Sequence, residues 1–195
     1  MDGTLYCAPE LRKKYADAAY QTLSHYKKLD PSQARIIVEE KKKELEKQAG
    51  GSMPYTLTLK SLGVPIEVWH KENIKYVDPG QFLVPDMKLK KTLKFLKKEY
   101  KLAIFTNNND IQTERVIQAL NLKSLFDRVF TYNSFKLLKP DPEFFRRAMA
   151  QFEARPEECL IVGDRYNVDL APARNLGMQI YEVKGPRDII GSTSS

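Results

Sequence analysis

The sequence lacks the features by which a membrane-spanning or exported chain is recognised. No apolar run approaches the ~20 residues that are needed to cross a bilayer, and no charged-then-apolar signal pattern opens the chain. Its two cysteines, Cys7 and Cys159, are too few for a disulfide framework and do not have the spacing of metal ligands. We therefore expect a cytoplasmic protein with reduced thiols.

The sequence also lacks a concentrated basic arm, although its net charge is +7. The lysines gather in two stretches, Lys41–Lys47 and Lys88–Lys101, where glutamates are mixed among them. Such mixing is typical of solvated helix faces, and no aromatic–basic signature of nucleic-acid binding accompanies it. The charge therefore favours a small anionic substrate, and we expect no nucleic-acid or membrane partner.

Two regimes follow one another along the chain. From Pro9 to about Pro85 the apolar residues recur at helical spacing, with Asp30-Pro31 and Gly50-Gly51 as helix boundaries. From Asp86 onward, helical segments alternate with short apolar runs such as Leu102–Phe105 and Leu160–Val162. This alternation predicts an α/β fold with a parallel sheet, whose ligands gather at the carboxyl ends of the strands.

Four polar segments lie at glycine turns or directly after predicted strands: Asp2-Gly3-Thr4-Leu5-Tyr6, Thr106-Asn107-Asn108, Lys139-Pro140-Asp141-Pro142, and Gly163-Asp164 with Asp169. Each alone could be a turn or a helix cap. Their joint occurrence in this order instead indicates an active-site rim.

The four segments resemble the motifs of the haloacid dehalogenase-like superfamily, in its phosphatase branch. The resemblance implies a Rossmann-like parallel sheet core, residues 1–8 and 84–195, with an inserted all-helical cap, residues 9–83. It also implies a small phosphorylated substrate, Mg²⁺ as cofactor, and a monomer or homodimer. His25, His70 and Trp69 are expected to be packing or surface residues of the cap.

The predicted catalytic residues are Asp2, Thr106 and Lys139. Phosphoryl transfer requires positive charge beside the phosphate, a proton for the leaving alkoxide and rigid positioning. We expect Lys139 to supply the charge and Thr106 and Asn107 to bind phosphoryl oxygens. Asp2 matches the general acid that protonates the leaving group and later activates water.

The predicted metal ligands are Asp2, Asp164 and Asp169. Carboxylate oxygens are hard ligands suited to Mg²⁺, and Asp169 is expected either to bind the ion or to support Asp164. Asp2 belongs to this set through its backbone carbonyl, as the resemblance implies, because its carboxyl is assigned to proton transfer.

The first motif departs from the family pattern Asp-x-Asp-Gly-Thr. Here Asp2-Gly3-Thr4 is its second half and Met1 takes the x position, so the nucleophilic aspartate and the first core strand are expected directly before Met1. We therefore expect the 195 residues alone to be inactive, either because the start is internal or because the protein is a pseudo-enzyme.

These observations predict a Mg²⁺-dependent phosphomonoester hydrolase that works through a phosphoaspartyl intermediate. The stretch from Leu62-Gly63 to Val84-Pro85-Asp86 and the segment Thr131-Tyr132-Asn133 resemble pyrimidine 5′-nucleotidases, which suggests nucleoside monophosphates as substrates. A sugar-phosphate or phosphoglycolate phosphatase and a non-catalytic phosphate-binding protein are the alternatives. Dehalogenation is disfavoured because halide release needs no acid at the position of Asp2.

Overall fold

The computed structural model describes residues 1–191 and separates them into two compact units. One unit is the continuous stretch Ala8–Phe82. The other joins Met1–Cys7 to the part of the chain that begins at Leu83. Assigning the first unit as a cap and the second as a catalytic core stays a prediction.

The unit Ala8–Phe82 is helical. Its α-helices are α1 (Pro9–Lys27), α2 (Pro31–Ala49), α3 (Tyr55–Ser61) and α4 (Ile66–Tyr76), followed by a 3₁₀ turn at Pro79–Gln81. Helix α2 begins where the Asp30 carboxylate accepts a hydrogen bond from the Ser32 N–H at 2.8 Å. It ends at Gly50, whose φ of 65° lies in the left-handed region that glycine tolerates without strain.

Trp69 and His70 lie in the interior of this helical unit, with 2% and 5% of their surface exposed. The Trp69 indole Nε1 donates to the Thr56 hydroxyl at 3.0 Å, which ties α4 to α3. His25 instead lies near the surface, 3.6 Å from the Glu72 carboxylate. These contacts agree with packing and surface roles.

The second unit contains the strands β1 (Ala103–Phe105), β2 (Arg128–Phe130), β3 (Leu160–Gly163) and β4 (Gln179–Glu182). Its α-helices are α5 (Met87–Leu96), α6 (Asp110–Ala119), α7 (Tyr132–Phe135), α8 (Pro142–Ala150), α9 (Ala171–Asn175) and α10 (Pro186–Gly191). A 3₁₀ turn at Pro156–Glu158 and a π-helical turn at Tyr166–Leu170 complete it. The predicted α/β class with parallel strands is therefore confirmed.

The strands form two separate parallel pairs, and this differs from the single sheet that the sequence predicts. Strand β1 pairs with β2 and β3 pairs with β4, but no strand within residues 1–191 joins β1 to β3. The segment Met1–Tyr6 does not supply such a strand, because it folds into tight turns and makes only an isolated bridge between Asp2 and Tyr6.

An aromatic cluster packs behind the first pair. Phe105 of β1 meets Phe130 of β2 edge-on, with ring centroids 5.2 Å apart, and also contacts the fully buried Phe144 and Phe145 of α8. Edge-to-face aromatic pairs stabilise a core beyond the area they bury. Helix α8 and strand β1 are thus fixed to each other, and with them the loops that precede α8 and follow β1.

Within positions 1–191, no helix has both the length and the apolar character that crossing a membrane requires.

Candidate active site

The turn at Asp2-Gly3-Thr4 lies directly against Asp164. The Thr4 hydroxyl donates to Asp164 Oδ1 at 3.2 Å, across 160 positions of sequence. Gly3 has a φ of 75°, and a Cβ atom added there would lie 2.1 Å from Asp164 Oδ2. Position 3 therefore requires glycine for two reasons: its left-handed backbone conformation and the close approach of the Asp164 carboxylate.

Gly3→Ala is expected to destabilise this turn strongly. The left-handed conformation costs an alanine roughly 1–2 kcal/mol, and the overlap with Asp164 adds about 1–3 kcal/mol. Urea denaturation should report the loss of stability, and a Mg²⁺ titration should report weaker binding because the Asp164 carboxylate must move.

Gly51→Ala is the matched control, because a Cβ there meets nothing within 4 Å. It should cause no loss of stability. If both variants unfold at the wild-type urea concentration, the close contact between Gly3 and Asp164 does not exist in solution.

Lys139 lies between the end of β1 and the π-helical turn. Its ammonium Nζ donates to the Phe105 carbonyl at 2.9 Å and to Asp169 Oδ1 at 2.5 Å. The Lys139 and Asp169 side chains are only 10% and 8% exposed. Burial alone would raise the pKa of the Asp169 carboxyl, but the Lys139 charge and hydrogen bond hold that pKa below its usual range.

The segment after β1 supplies the polar groups next to Lys139. The Thr106 N–H donates to the Phe130 carbonyl at 2.9 Å, which continues the β1–β2 pairing by one residue. The Thr106 hydroxyl oxygen accepts from the Asn108 N–H at 3.2 Å. The Asn107 side-chain amide donates to the Lys139 carbonyl and accepts from the Lys139 N–H. Its predicted contact with phosphate stays a prediction.

Arg165 is a charged group of this region that sequence reasoning missed. Its Nη2 lies 3.7 Å from Asp2 Oδ2, and the two side chains are 20% and 28% exposed. The signal was available, since Arg165 directly follows Gly163-Asp164 in the fourth motif.

Three of the four motifs meet at the end of β3. A Cβ atom added at Gly163 would lie 2.8 Å from Asp169 Cβ, so the partner of Lys139 lies against the last residue of β3. Asp164, the next residue, contacts the Asp2-Gly3-Thr4 turn. Thr106 and Asn107 join the same site through their contacts around Lys139 and β1.

The predicted metal ligands agree with Mg²⁺ in their chemistry, though not as a group of three. Asp164 offers carboxylate oxygens beside Gly3, where the missing Cβ leaves room for its side chain, and Asp2 is predicted to add its backbone carbonyl. The Asp169 carboxylate contacts the Lys139 ammonium. No cluster of three His, Cys, Asp or Glu side chains suited to a metal occurs in the part of the chain described. The donor chemistry therefore suits Mg²⁺, and ligation by Asp2, Asp164 and Asp169 stays a prediction.

The haloacid dehalogenase-like hydrolase family profile matches residues 1–177. The chain belongs to this family of hydrolases. The glyceraldehyde 3-phosphate phosphatase of Pyrococcus furiosus (strain ATCC 43587 / DSM 3638 / JCM 8422 / Vc1) is 32% identical over 146 residues, which are 70% of this chain and 59% of that protein. This haloacid dehalogenase-like chain thus spans about three fifths of that relative's length.

Solved structures of haloacid dehalogenase-like proteins share the fold. The HAD phosphatase of Thermococcus onnurineus superimposes with a TM-score of 0.62 at 18% identity, covering 100% of this chain and 95% of its own. The HAD-hydrolase YfnB of Bacillus subtilis, described as bound to magnesium, superimposes with a TM-score of 0.55 at 16% identity, covering 92% and 84%. At these identities the likeness establishes the fold alone.

Proposed function

We propose that the protein is a Mg²⁺-dependent phosphatase of small phosphate monoesters. One observation carries the proposal: the Asp169 partner of the Lys139 ammonium and the Asp164 partner of the Thr4 hydroxyl both lie at the end of β3, although Thr4 and Lys139 are far apart in sequence. A buried cation and backbone donors stabilise a phosphoryl group, and carboxylates beside them hold a metal ion and move protons.

The proposed roles follow from the contacts of each side chain. Lys139 neutralises the phosphate, and Asp169 fixes the position of the Lys139 ammonium. The Thr106 hydroxyl, whose oxygen already accepts from Asn108, has its hydrogen left to donate to a phosphoryl oxygen. Asp2 exchanges the proton with the leaving alkoxide and with water.

The Asp164 carboxylate and the Asp2 backbone carbonyl would hold Mg²⁺, which would neutralise charge on the phosphate when bound. Thr4 supports this arrangement because its hydroxyl fixes one oxygen of Asp164. The magnesium described for the Bacillus subtilis structure agrees with the same cofactor.

The phosphoryl acceptor is proposed from the resemblance alone. The aspartate expected directly before Met1 would form the phosphoaspartyl intermediate, and splitting one displacement into two steps makes both easier. That the 195 residues alone lack turnover is also a prediction.

The proposed substrates are small phosphorylated metabolites. The name of the Pyrococcus furiosus relative makes glyceraldehyde 3-phosphate the first to test. Pyrimidine nucleoside monophosphates, sugar phosphates and phosphoglycolate follow from the resemblance.

A substrate panel tests the proposal. Two forms are compared: the 195-residue chain and a form extended by an apolar strand that ends in aspartate directly before Met1. We expect the extended form to release inorganic phosphate from at least one ester. This release should stop when EDTA removes Mg²⁺. The shorter form should bind inorganic phosphate in calorimetry without turnover.

The other outcomes are equally informative. Binding without turnover in both forms would favour the non-catalytic phosphate-binding protein. If neither form bound phosphate or hydrolysed any ester, the proposed function would be wrong, and hydrolysis that persists in EDTA would remove Mg²⁺ from it.

A further inference from the structure

The side chain of Asn107 joins two loops that lie far apart in sequence. Its Nδ2 donates to the Lys139 carbonyl at 2.9 Å, and its Oδ1 accepts from the Lys139 N–H at 2.7 Å. Asn107 is 9% exposed, so both bonds are shielded from water. One planar amide therefore satisfies both polar groups of the Lys139 backbone.

The Lys139 loop has few other means of satisfying these groups. The next residue is Pro140, which has no N–H, and the loop lies outside β1–β4, so no strand ladder pairs with it. A buried backbone N–H or C=O without a partner is costly, which gives the Asn107 contact a large influence on the loop's conformation.

Lys139 is held at both of its ends. A lysine side chain carries about 2 kcal/mol of rotamer entropy, so its charge reaches one place only when it is held at both ends. Asn107 fixes the backbone end of Lys139, while Asp169 and the Phe105 carbonyl fix the ammonium end.

We propose that Asn107 is a positioning residue that acts through Lys139, by holding the Lys139 backbone in the conformation that directs its ammonium to the phosphate. The inference rests on the proposed function, because it assumes that Lys139 binds phosphate. An aspartate at position 107 could not replace the amide, since a carboxylate has no hydrogen to donate to the Lys139 carbonyl.

Two measurements on the 195-residue chain test the inference. Calorimetry with inorganic phosphate should show about tenfold weaker binding for Asn107→Ala, because two buried hydrogen bonds to the lysine loop are lost. Hydrogen exchange should show the Lys139 N–H protected in the wild type and exchanging rapidly in the variant.

A double-variant comparison separates positioning from general stability. If Asn107 acts through Lys139, adding Asn107→Ala to Lys139→Met should weaken phosphate binding no further. Asn133→Ala is the matched control, because this exposed asparagine also accepts a backbone N–H, that of Asp110 at 3.4 Å, and should leave binding unchanged.

The failures can be told apart. A wild type that does not bind phosphate contradicts the proposed function. Equal phosphate affinities of the wild type and Asn107→Ala would contradict the positioning role. A further loss in the Lys139→Met background would show that Asn107 binds phosphate directly, and this too would overturn the inference.

Discussion

Replacing Lys139 by methionine is expected to cost about 3–5 kcal/mol of stability, because removing one partner of a buried ion pair leaves the other charge uncompensated. The Asp169 carboxylate would remain only 8% exposed with its ammonium partner gone. For a chain of this size the loss corresponds to a fall in Tm of roughly 6–20 °C. Urea denaturation and calorimetry measure it, and phosphate binding should be weakened, though still measurable, at the same time.

The surface pair between Lys123 and Glu114 is the control. Its side chains are 70% and 45% exposed, so Lys123→Met should cost at most about 1 kcal/mol. The double variant Lys139→Met with Asp169→Leu should recover much of the lost stability without recovering phosphate binding, since no charge is then left buried. Equal costs for the two single lysine variants would show that the Lys139–Asp169 pair is not buried in solution.

The same pair has a pH dependence with a defined sign. The folded-state pKa of Asp169 lies below the ordinary value of 3.8, so its contribution to stability is present above about pH 4 and is lost as the pH falls through the folded-state pKa. Asp169→Asn should therefore be less stable than the wild type at pH 6, and the difference should shrink toward pH 2.

Asp2→Asn is expected to lower kcat of the extended form by about 10²–10⁴, because an amide cannot give its proton to a leaving alkoxide or take one from water. The loss should depend on the leaving group. Alkyl phosphates, whose alkoxide needs a proton, should lose more than p-nitrophenyl phosphate, whose phenolate leaves unprotonated. Steady-state kinetics with both esters gives the ratio.

Asp17→Asn is the control, because Asp17 is an exposed carboxylate of α1 and should leave both rates unchanged. Equal losses for the two classes of ester would mean that Asp2 acts by holding charge and not by transferring a proton. A kcat of Asp2→Asn within about threefold of the wild type would exclude Asp2 as the general acid.

Sequence reasoning predicted the α/β class because its signals are local. Short apolar runs at Leu102–Phe105 and Leu160–Val162 predict strands, and the polar residues directly after them must lie at the carboxyl ends. Periodicity and strand order therefore predicted the α/β class and the positions of the motifs.

The contacts that organise the site could not be predicted in this way. The Asn107 amide meets a backbone 32 positions away, and the Gly3–Asp164 approach is set by one φ angle and one side-chain rotamer. The division of the strands into two pairs depends on hydrogen bonds between segments whose apolar patterns are alike. Such features depend on tertiary geometry, which no window of sequence contains.

The unit that joins Met1–Cys7 to the chain from Leu83 is discontinuous in sequence, and this affects how far the stretch between its two parts can vary in length. Met1–Cys7 must find the rest of its unit across the whole stretch Ala8–Phe82. While that stretch is still unfolded it behaves as a flexible loop, and bringing its ends together costs entropy only as the logarithm of its length. Each doubling of such an insertion costs about 0.6 kcal/mol. The stretch from Ala8 to Phe82 can therefore change in size with little effect on the assembly of Thr4 with Asp164, provided that its two ends stay close together.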